Sequence, residues 1–255
     1  MTDPTVDMSE KSWWDLWNTS YRTQDDNDYV SSELFERAAS LINAITKQKE
    51  SRMLEVACGT GTLSRKISYA TYHGLDISPA AIEIARQKSD LHPLAAGAGS
   101  RTYEAADFHD WPLPSEPFDM VLCVDAISCF RDQALVLRKM AQSLRAGGSV
   151  VLTSVNPVVY NRIRRAGGVR LENGPVSHWL SRRELHDLVH QAGLTLEHSY
   201  TIMPRGNMGI LRLINARRLN QALGQRGAAL FRRLKERVGL GQYRVVIARK
   251  VEVRS

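Results

Sequence analysis

The sequence predicts an α/β fold built on a parallel sheet. Between residues 50 and 155, short apolar runs alternate with helical patterns, and glycine or proline stands at several of the changes. Strands separated by helices are joined by right-handed crossovers, which makes neighbouring strands parallel. With 255 residues, of which 43% are hydrophobic, the chain is long enough to bury one sizeable core. We therefore expect one domain with appendages.

The elements follow one another along the chain. A helical pattern over residues 34–45 precedes a first strand at 53–57, and a glycine turn then leads into a helix over 63–70. The remaining patterns predict strands over 72–77, 101–106, 118–124, 149–155, 195–202 and 243–253, and helices over 80–89, 132–144, 181–192 and, broken at Gly224 and Gly227, 208–238. Ser78 and Ser181 are expected to cap two of these helices.

The glycine turn favours a cationic ligand. Gly59 and Gly61 let a ligand approach the backbone, and a following helix would present free N–H groups. A dinucleotide-binding turn would need a third glycine where Ser64 stands. Glu55, at the end of the strand, would repel a pyrophosphate but suits a ligand with an ammonium and a sulfonium group.

Acidic residues end three successive strands. Asp76 follows Glu55 by 21 residues and stands where a carboxylate accepts both hydroxyls of a ribose. Asp107 and Phe108 are placed to meet the amino group and the ring face of an adenine. Because the carboxyl ends of parallel strands share one crevice, we expect these side chains to converge on a single site.

Five segments in register resemble the class I S-adenosylmethionine-dependent methyltransferases. They are EVACGTG (55–61), GLDIS (74–78), ADF (106–108), FDMVLC (118–123) and LRAGG (144–148). The resemblance is strong over residues 50–155 and looser to the last strand. It implies a Rossmann-like, seven-stranded, mostly parallel sheet with helices on both faces and an antiparallel last strand.

The resemblance also implies S-adenosylmethionine as cofactor and methyl transfer to an oxygen, nitrogen or carbon atom of a small or medium-sized metabolite. The implied cofactor-binding residues are Glu55, Ala57, Cys58, Gly59 and Gly61 at the turn, Asp76 and Ile77 at the ribose and adenine, Asp107 and Phe108 at the adenine, and Cys123 and Val124 beneath the sulfonium. Many small-molecule members carry a histidine where Ser128 and Cys129 stand here. No catalytic acid or base is therefore assigned, and no metal is expected.

The aromatic residues near the N-terminus admit two interpretations. Trp13, Trp14, Trp17 and Tyr21 precede the first strand, and N-terminal helices of the resembled family often close over the cofactor. On this reading, residues 1–48 form a helical lid that brings Tyr21 to the cofactor, ahead of a methyltransferase domain over 49–255. The alternative is an amphipathic helix that packs on the sheet edge.

Charge divides the chain unevenly, with a net −6 over residues 1–155 and +13 over 156–255. The family resemblance makes 157–180 and 204–240 substrate-side insertions. There the pairs 164–165 and 217–218, all arginine, would meet an acceptor that is anionic or linked to a sugar or lipid. The alternative is that helical apolar positions from 211 to 238 pack inward and leave a solvated basic face.

A protein of another class would use this basic third to bind RNA or an acidic membrane. Little aromatic interleaving disfavours nucleic acid, whereas peripheral membrane contact is left open. The N-terminus lacks a signal sequence, no apolar run is long enough for a membrane span, and the three cysteines form no disulfide pattern, which predicts a cytoplasmic protein with reduced thiols. The sequence indicates no oligomeric state.

Three further residues are interpreted as structural. His109 and His178 are expected to be loop or surface residues rather than general bases, because nothing nearby in the sequence orients either ring. Asn156, with the proline after it, is interpreted as a turn.

Overall fold

The computed structural model describes residues 11–12, 14–15, 29–46, 51–93, 99–159, 178–204 and 217–251. The strands are β1 (Arg52–Val56), β2 (Thr71–Asp76), β3 (Ser100–Ala105), β4 (Phe118–Cys123), β5 (Leu144–Val155), β6 (Leu194–Ile202) and β7 (Tyr243–Lys250). The helices are α1 (Tyr29–Ile45), α2 (Pro79–Leu91), α3 (Gln133–Gln142), α4 (Arg182–Gln191), α5 (Arg217–Ala222) and α6 (Gly224–Arg237). No described helix has the length and apolar character needed to cross a membrane.

These seven strands form one sheet in the order β3-β2-β1-β4-β5-β7-β6. Strands β1 to β5 pair in parallel, and β7 lies antiparallel between β5 and β6. The predicted mostly parallel sheet with an antiparallel last strand is confirmed. Tyr243 opens β7 opposite Val155, the last residue of β5. The start of β7 therefore lies at the edge where β1, β2, β4 and β5 end, which we call the crevice edge.

Helices cover both faces of the sheet, as expected. On one face Met53 and Val245 belong to the buried cluster that includes α1 and α2. On the other face Leu54 and Val246 belong to the cluster that includes α3 and α4. Adjacent strand residues thus serve opposite cores, and burying each such side chain contributes about 1.5–3 kcal/mol.

Both predicted helix caps are present. The Ser78 hydroxyl accepts a hydrogen bond from the Ala81 amide (3.1 Å), directly before the proline that opens α2. Ser181 and Glu184 form a reciprocal capping box at the start of α4. These caps satisfy amides that have no partner within the helix, so they fix where each helix begins.

The helix predicted over 63–70 is reduced to a single 3₁₀ turn, Leu63–Arg65. Ile67, Ser68 and Tyr69 lower helix propensity, and the Ala70 amide donates to the Ser51 carbonyl oxygen (3.0 Å) to start β2. The glycine turn is therefore not followed by an α-helix, and the prediction of helical N–H groups beside the ligand is wrong.

Other boundaries differ by a few residues with clear causes. β5 begins at Leu144, so the glycines at 147 and 148 lie within a strand rather than before it. Gly224, the first residue of α6, has a left-handed φ of 61° where α5 ends. Gly227 lies within α6 and does not break it. Only the first of these two glycines has the backbone conformation that ends a helix.

Most of the apolar stripe expected to pack inward on α5 and α6 is exposed where it is described, whereas Phe231 is half-buried. Its exposed members are Leu219, Leu223, Leu230, Leu234 and Val238, of which Leu230 is 71% exposed. These helices instead attach through polar contacts, because the Thr201 hydroxyl donates to the Glu236 carbonyl oxygen (2.7 Å) and Arg37 pairs with the Glu236 carboxylate (2.9 Å). The periodicity identified the helix correctly but not the surface that it buries.

Candidate functional site

In the glycine turn after β1, every second residue has a left-handed backbone conformation. The φ angles are 57° at Ala57, 53° at Gly59 and 69° at Gly61. Glycine is required at 61, since a Cβ there would lie 2.7 Å from the Tyr103 hydroxyl oxygen. Alanine at 57 accepts a conformation that costs an L-residue roughly 1–2 kcal/mol. Such strain is retained when the surrounding structure over-determines it, as at a ligand turn.

Glu55 is the second-last residue of β1, directly before this turn, and is 1% exposed. Its carboxylate accepts a hydrogen bond from the Tyr72 hydroxyl of the neighbouring strand. Burial, followed by the charge of Glu55, raises the pKa of Tyr72 well above its usual value, so the phenol remains a neutral donor. The buried carboxylate is thus held in one orientation.

Asp76 ends β2 and joins the turn to the next helix. Its Oδ2 accepts from the Gly59 amide (2.8 Å) and its Oδ1 from the Ser78 amide (3.0 Å). The carboxylate is 8% exposed and stands at the N-terminus of α2, where the helix dipole favours negative charge. Ile77 follows it, half-buried. Glu55 and Asp76 therefore lie on adjacent strand ends around one glycine turn, as predicted.

A piece of the N-terminal segment reaches the same place. Asp15 Oδ1 accepts from the Ser78 hydroxyl (2.6 Å) and from the Ala80 amide (3.3 Å). Trp14 beside it is half-buried. Trp13, Trp17 and Tyr21 lie outside the described residues, so their part in a lid stays a prediction.

Asp107 follows β3 and is surrounded by donors. Its Oδ1 accepts from the amide of His109 (2.8 Å), and its Oδ2 lies 3.1 Å from the Arg131 guanidinium. Burial opposes ionisation, but the hydrogen bonds from His109 and the charge of Arg131 outweigh it and lower the pKa of Asp107. The side chain is thus a carboxylate at neutral pH.

The His109 ring is oriented after all, which corrects the sequence interpretation. Its Nδ1 lies 2.8 Å from Asp107 Oδ1, and the Asp132 amide donates to its Nε2 (3.4 Å). Nδ1 therefore carries the proton, and both nitrogens are engaged within the protein. The His178 ring also has a partner, since its Nε2 lies 3.0 Å from Glu184 Oε1. Both histidines serve structure, but with partners that the sequence did not reveal.

The remaining predicted cofactor residues are buried. Phe108 is 3% exposed, with the Lys139 ammonium 5.4 Å from its ring centroid, and its contact with an adenine stays a prediction. Cys123 and Val124 end β4 inside the core. Burial raises the pKa of the Cys123 thiol, so this side chain is a neutral packing group. Cys58 lies buried in the turn, and Cys58, Cys123 and Cys129 form no disulfide.

Sequence reasoning missed two residues at the crevice edge. Asp125 follows β4 with a left-handed φ of 58°, and its amide donates to the Thr153 hydroxyl (2.9 Å). Asn156 is 1% exposed, and its Nδ2 donates to the carbonyl oxygens of Gly239 (3.0 Å) and Gly241 (2.8 Å). Rather than a simple turn, Asn156 is a buried link between the end of β5 and the loop before β7. The only sequence signal was a polar residue directly after an apolar strand.

The predicted acceptor-side arginines cannot be placed. Residues 160–177 and 205–216 lie outside the described residues, as do the side chains of 217 and 218. Their contact with an acceptor therefore stays a prediction.

The described residues fit S-adenosylmethionine. The buried carboxylates of Glu55 and Asp76 suit a ligand with cationic and hydroxyl groups. Glycine at position 61 avoids the contact that a Cβ would make with Tyr103. Within the described ranges, no group of three or more His, Cys, Asp or Glu side chains is arranged to hold a metal ion.

Known methyltransferases resemble this chain in sequence. A family model described as a methyltransferase domain matches residues 30–199. A phthiotriol/phenolphthiotriol dimycocerosates methyltransferase from Mycobacterium leprae is 29% identical over 137 residues, which cover 52% of this chain and 47% of that protein. A malonyl-[acyl-carrier protein] O-methyltransferase from Brevibacillus brevis is 26% identical over 180 residues, 65% of this chain and 63% of that protein. The chain thus spans about half the length of the first of these relatives.

Solved structures share the fold. A Synechocystis magnesium protoporphyrin IX methyltransferase with bound S-adenosylmethionine matches with a TM-score of 0.62 at 13% identity, over 98% of this chain and 100% of that one. A chain of a complex between a Haloferax volcanii methyltransferase activator and a methyltransferase matches with a TM-score of 0.65 at 16% identity, over 94% and 98% of the two chains. Together with the family model, these matches show that the chain belongs to the class I S-adenosylmethionine-dependent methyltransferases.

Proposed function

We propose that this protein transfers the methyl group of S-adenosylmethionine to a small or medium-sized metabolite. The observation that carries the proposal is the pair of buried carboxylates, Glu55 and Asp76, that end adjacent strands around the left-handed glycine turn. When bound, the cofactor supplies an activated methyl group on a sulfonium. The cofactor-binding roles of the other predicted residues at the crevice edge belong to the same proposal.

The two carboxylates have different tasks. Glu55, oriented by Tyr72, attracts the cationic methionine end. Asp76, held by the Gly59 and Ser78 amides, accepts hydrogen bonds from ribose hydroxyls. A hydrogen bond to a charged acceptor contributes roughly 1.5–3 kcal/mol, which makes Asp76 a major source of affinity.

Rate enhancement comes from alignment and from exclusion of water. Holding two reactants in line contributes up to about 7–11 kcal/mol, and an activated methyl group does not require a dedicated base. The N-terminal segment is the proposed cover, and its support is the contact of Asp15 with Ser78 and Ala80 at the crevice edge. The Asp15 contact joins this segment to the helix that Asp76 also contacts.

The acceptor is proposed to be small, lipid-like or anionic. The named relatives act on phthiotriol-type and malonyl acceptors, and a structural neighbour acts on magnesium protoporphyrin IX. A cytoplasmic location is part of the proposal. It is supported by the three cysteines, which form no disulfide, because disulfides are rare in cytosolic proteins.

The test has two steps on the full chain. Calorimetry should show micromolar binding of S-adenosylhomocysteine and no comparable binding of NADH. A screen of fractionated metabolites with labelled S-adenosylmethionine should then find an acceptor whose label depends on the protein. Tighter binding of NADH than of S-adenosylhomocysteine would refute the cofactor assignment.

A further inference from the structure

Arg244, the second residue of β7, is buried and has no counter-charge among the described residues. The residue is 7% exposed, and its Nε has no hydrogen-bond partner. Among the described residues its guanidinium forms no ion pair with a carboxylate. An unpaired buried charge costs several kcal/mol, and an unsatisfied buried group in a native structure calls for a partner such as a water, an ion or a ligand.

The neighbouring groups add positive charge rather than neutralising it. Burial, followed by the charge of Arg182 at the start of α4, lowers the pKa of Arg244. Burial and then the charges of Arg182 and Arg244 also lower the pKa of His186, whose Nε2 lies 2.8 Å from the Ser199 hydroxyl. The nearby Asp187 faces Arg183 instead (3.8 Å). The result is a basic cluster, Arg244 with Arg182, with which no carboxylate pairs in the part of the chain that the structure describes.

The strand register places this cluster at the crevice edge. Arg244 pairs with Ser154, the residue before the end of β5, and its side chain lies on the face of Val246, toward α4. The start of α4 reaches the segment after β4, because the His178 amide donates to the Ser128 carbonyl oxygen (3.4 Å). In the strand order, β7 is three positions from β1 and four from β2, which carry the cofactor carboxylates. The cluster of Arg244 and Arg182 therefore lies at the crevice edge, on the side away from these carboxylates.

We propose that Arg244, together with Arg182, binds a carboxylate or phosphate group of the methyl acceptor. The guanidinium group is planar and presents two N–H groups to two oxygens at once, which suits either oxyanion. The inference rests on the proposed methyltransferase function and adds the acceptor's charge and its place on the sheet. It assigns the anion to β7 and α4, whereas the sequence had assigned it to the insertions.

NMR of the full chain with ¹⁵N-labelled arginine, saturated with S-adenosylhomocysteine, tests this directly. The Arg244 Nε–H signal, assigned by its loss in Arg244→Lys, should shift saturably with sodium phosphate or sodium acetate at constant ionic strength, but not with sodium chloride. Arg182→Gln should weaken that anion affinity roughly 2- to 12-fold, as expected for loss of one hydrogen bond from an exposed side chain. Arg249→Gln is the matched control, because Arg249 lies on the same strand but is exposed and paired with Glu197.

A shift with phosphate alone supports a phosphorylated acceptor, and a shift with acetate alone supports a carboxylated one. If Arg244→Lys does not fold, the Arg244 Nε–H signal is assigned by triple-resonance NMR of the wild type. The anion titrations of the wild type and of Arg182→Gln then test the proposal in the same way. The inference is overturned if neither anion moves the Arg244 signal in protein that still binds S-adenosylhomocysteine. Failure to bind S-adenosylhomocysteine would instead overturn the proposed function, so the two failures are distinguishable.

Discussion

The two halves of the crevice edge are built in different ways. The half at β1 and β2 uses residues close in sequence, since the Asp76 carboxylate accepts from the Gly59 amide 17 residues before it and Glu55 lies 21 residues before Asp76. The half at β5 and β7 joins residues far apart, since Asn156 bonds to carbonyls 83 and 85 residues away. A motif can encode the first half, whereas the second exists only after the sheet has formed.

The two halves also differ in charge. The buried carboxylates of Glu55 and Asp76 lie at the strand ends of the first half, and the buried Arg244 is the second residue of β7 in the second half. This polarity matches a cationic methyl donor on one side and an anionic acceptor on the other. Variants that affect only one half can therefore test whether the halves are independent.

The largest expected effect is on stability, in the second half. Asn156→Ala removes the donor to the buried Gly241 carbonyl oxygen and to the partly buried Gly239 carbonyl oxygen, and should lower the free energy of unfolding by about 2–4 kcal/mol. Urea denaturation measures the change. Asn43→Ala is the matched control, because Asn43 also forms two backbone hydrogen bonds but is exposed. Equal losses in the two variants would contradict a special role for the buried link.

A somewhat smaller effect is expected on cofactor affinity, in the first half. Asp76→Ala should weaken S-adenosylhomocysteine binding about 10- to 150-fold, from the loss of charged-acceptor hydrogen bonds worth roughly 1.5–3 kcal/mol. Calorimetry on folded protein gives the value, with Asp187→Ala on the exposed surface of α4 as control. Unchanged affinity in Asp76→Ala would remove the ribose role. Loss of affinity in Asn156→Ala would show that the halves are coupled.

The smallest effect is expected for the N-terminal contact. Asp15→Ala removes an acceptor for the Ser78 hydroxyl and the Ala80 amide, so S-adenosylhomocysteine should bind about 2- to 12-fold more weakly at an unchanged melting temperature. Asp15→Asn keeps one acceptor oxygen and should recover part of the affinity. A truncation that lacks residues 1–28 should bind no better than Asp15→Ala. Wild-type affinity in that truncation would favour the packing interpretation over a lid.

Sequence patterns predicted the sheet, its helices on both faces and the caps at Ser78 and Ser181, because each depends on periodicity or on a few adjacent residues. They were less reliable where tertiary contacts compete with local preference. The stripe that includes Leu230 has helical spacing yet is exposed, and the predicted helix after the glycine turn became a 3₁₀ turn. Spacing identifies the face of a helix, but only packing decides whether that face is buried.

By itself, the sequence determined the order of the strands along the chain. It also determined the acidic character of the half at β1 and β2, because Glu55, Asp76 and the glycine turn act through local backbone geometry. Only the tertiary structure decided that Asp107 orients His109 and that Arg244 is buried with no counter-charge in the described ranges. A side chain's burial and partners depend on residues brought together from distant parts of the chain. The ionisation and pairing that result are therefore properties of the folded sheet, not of any segment of the sequence.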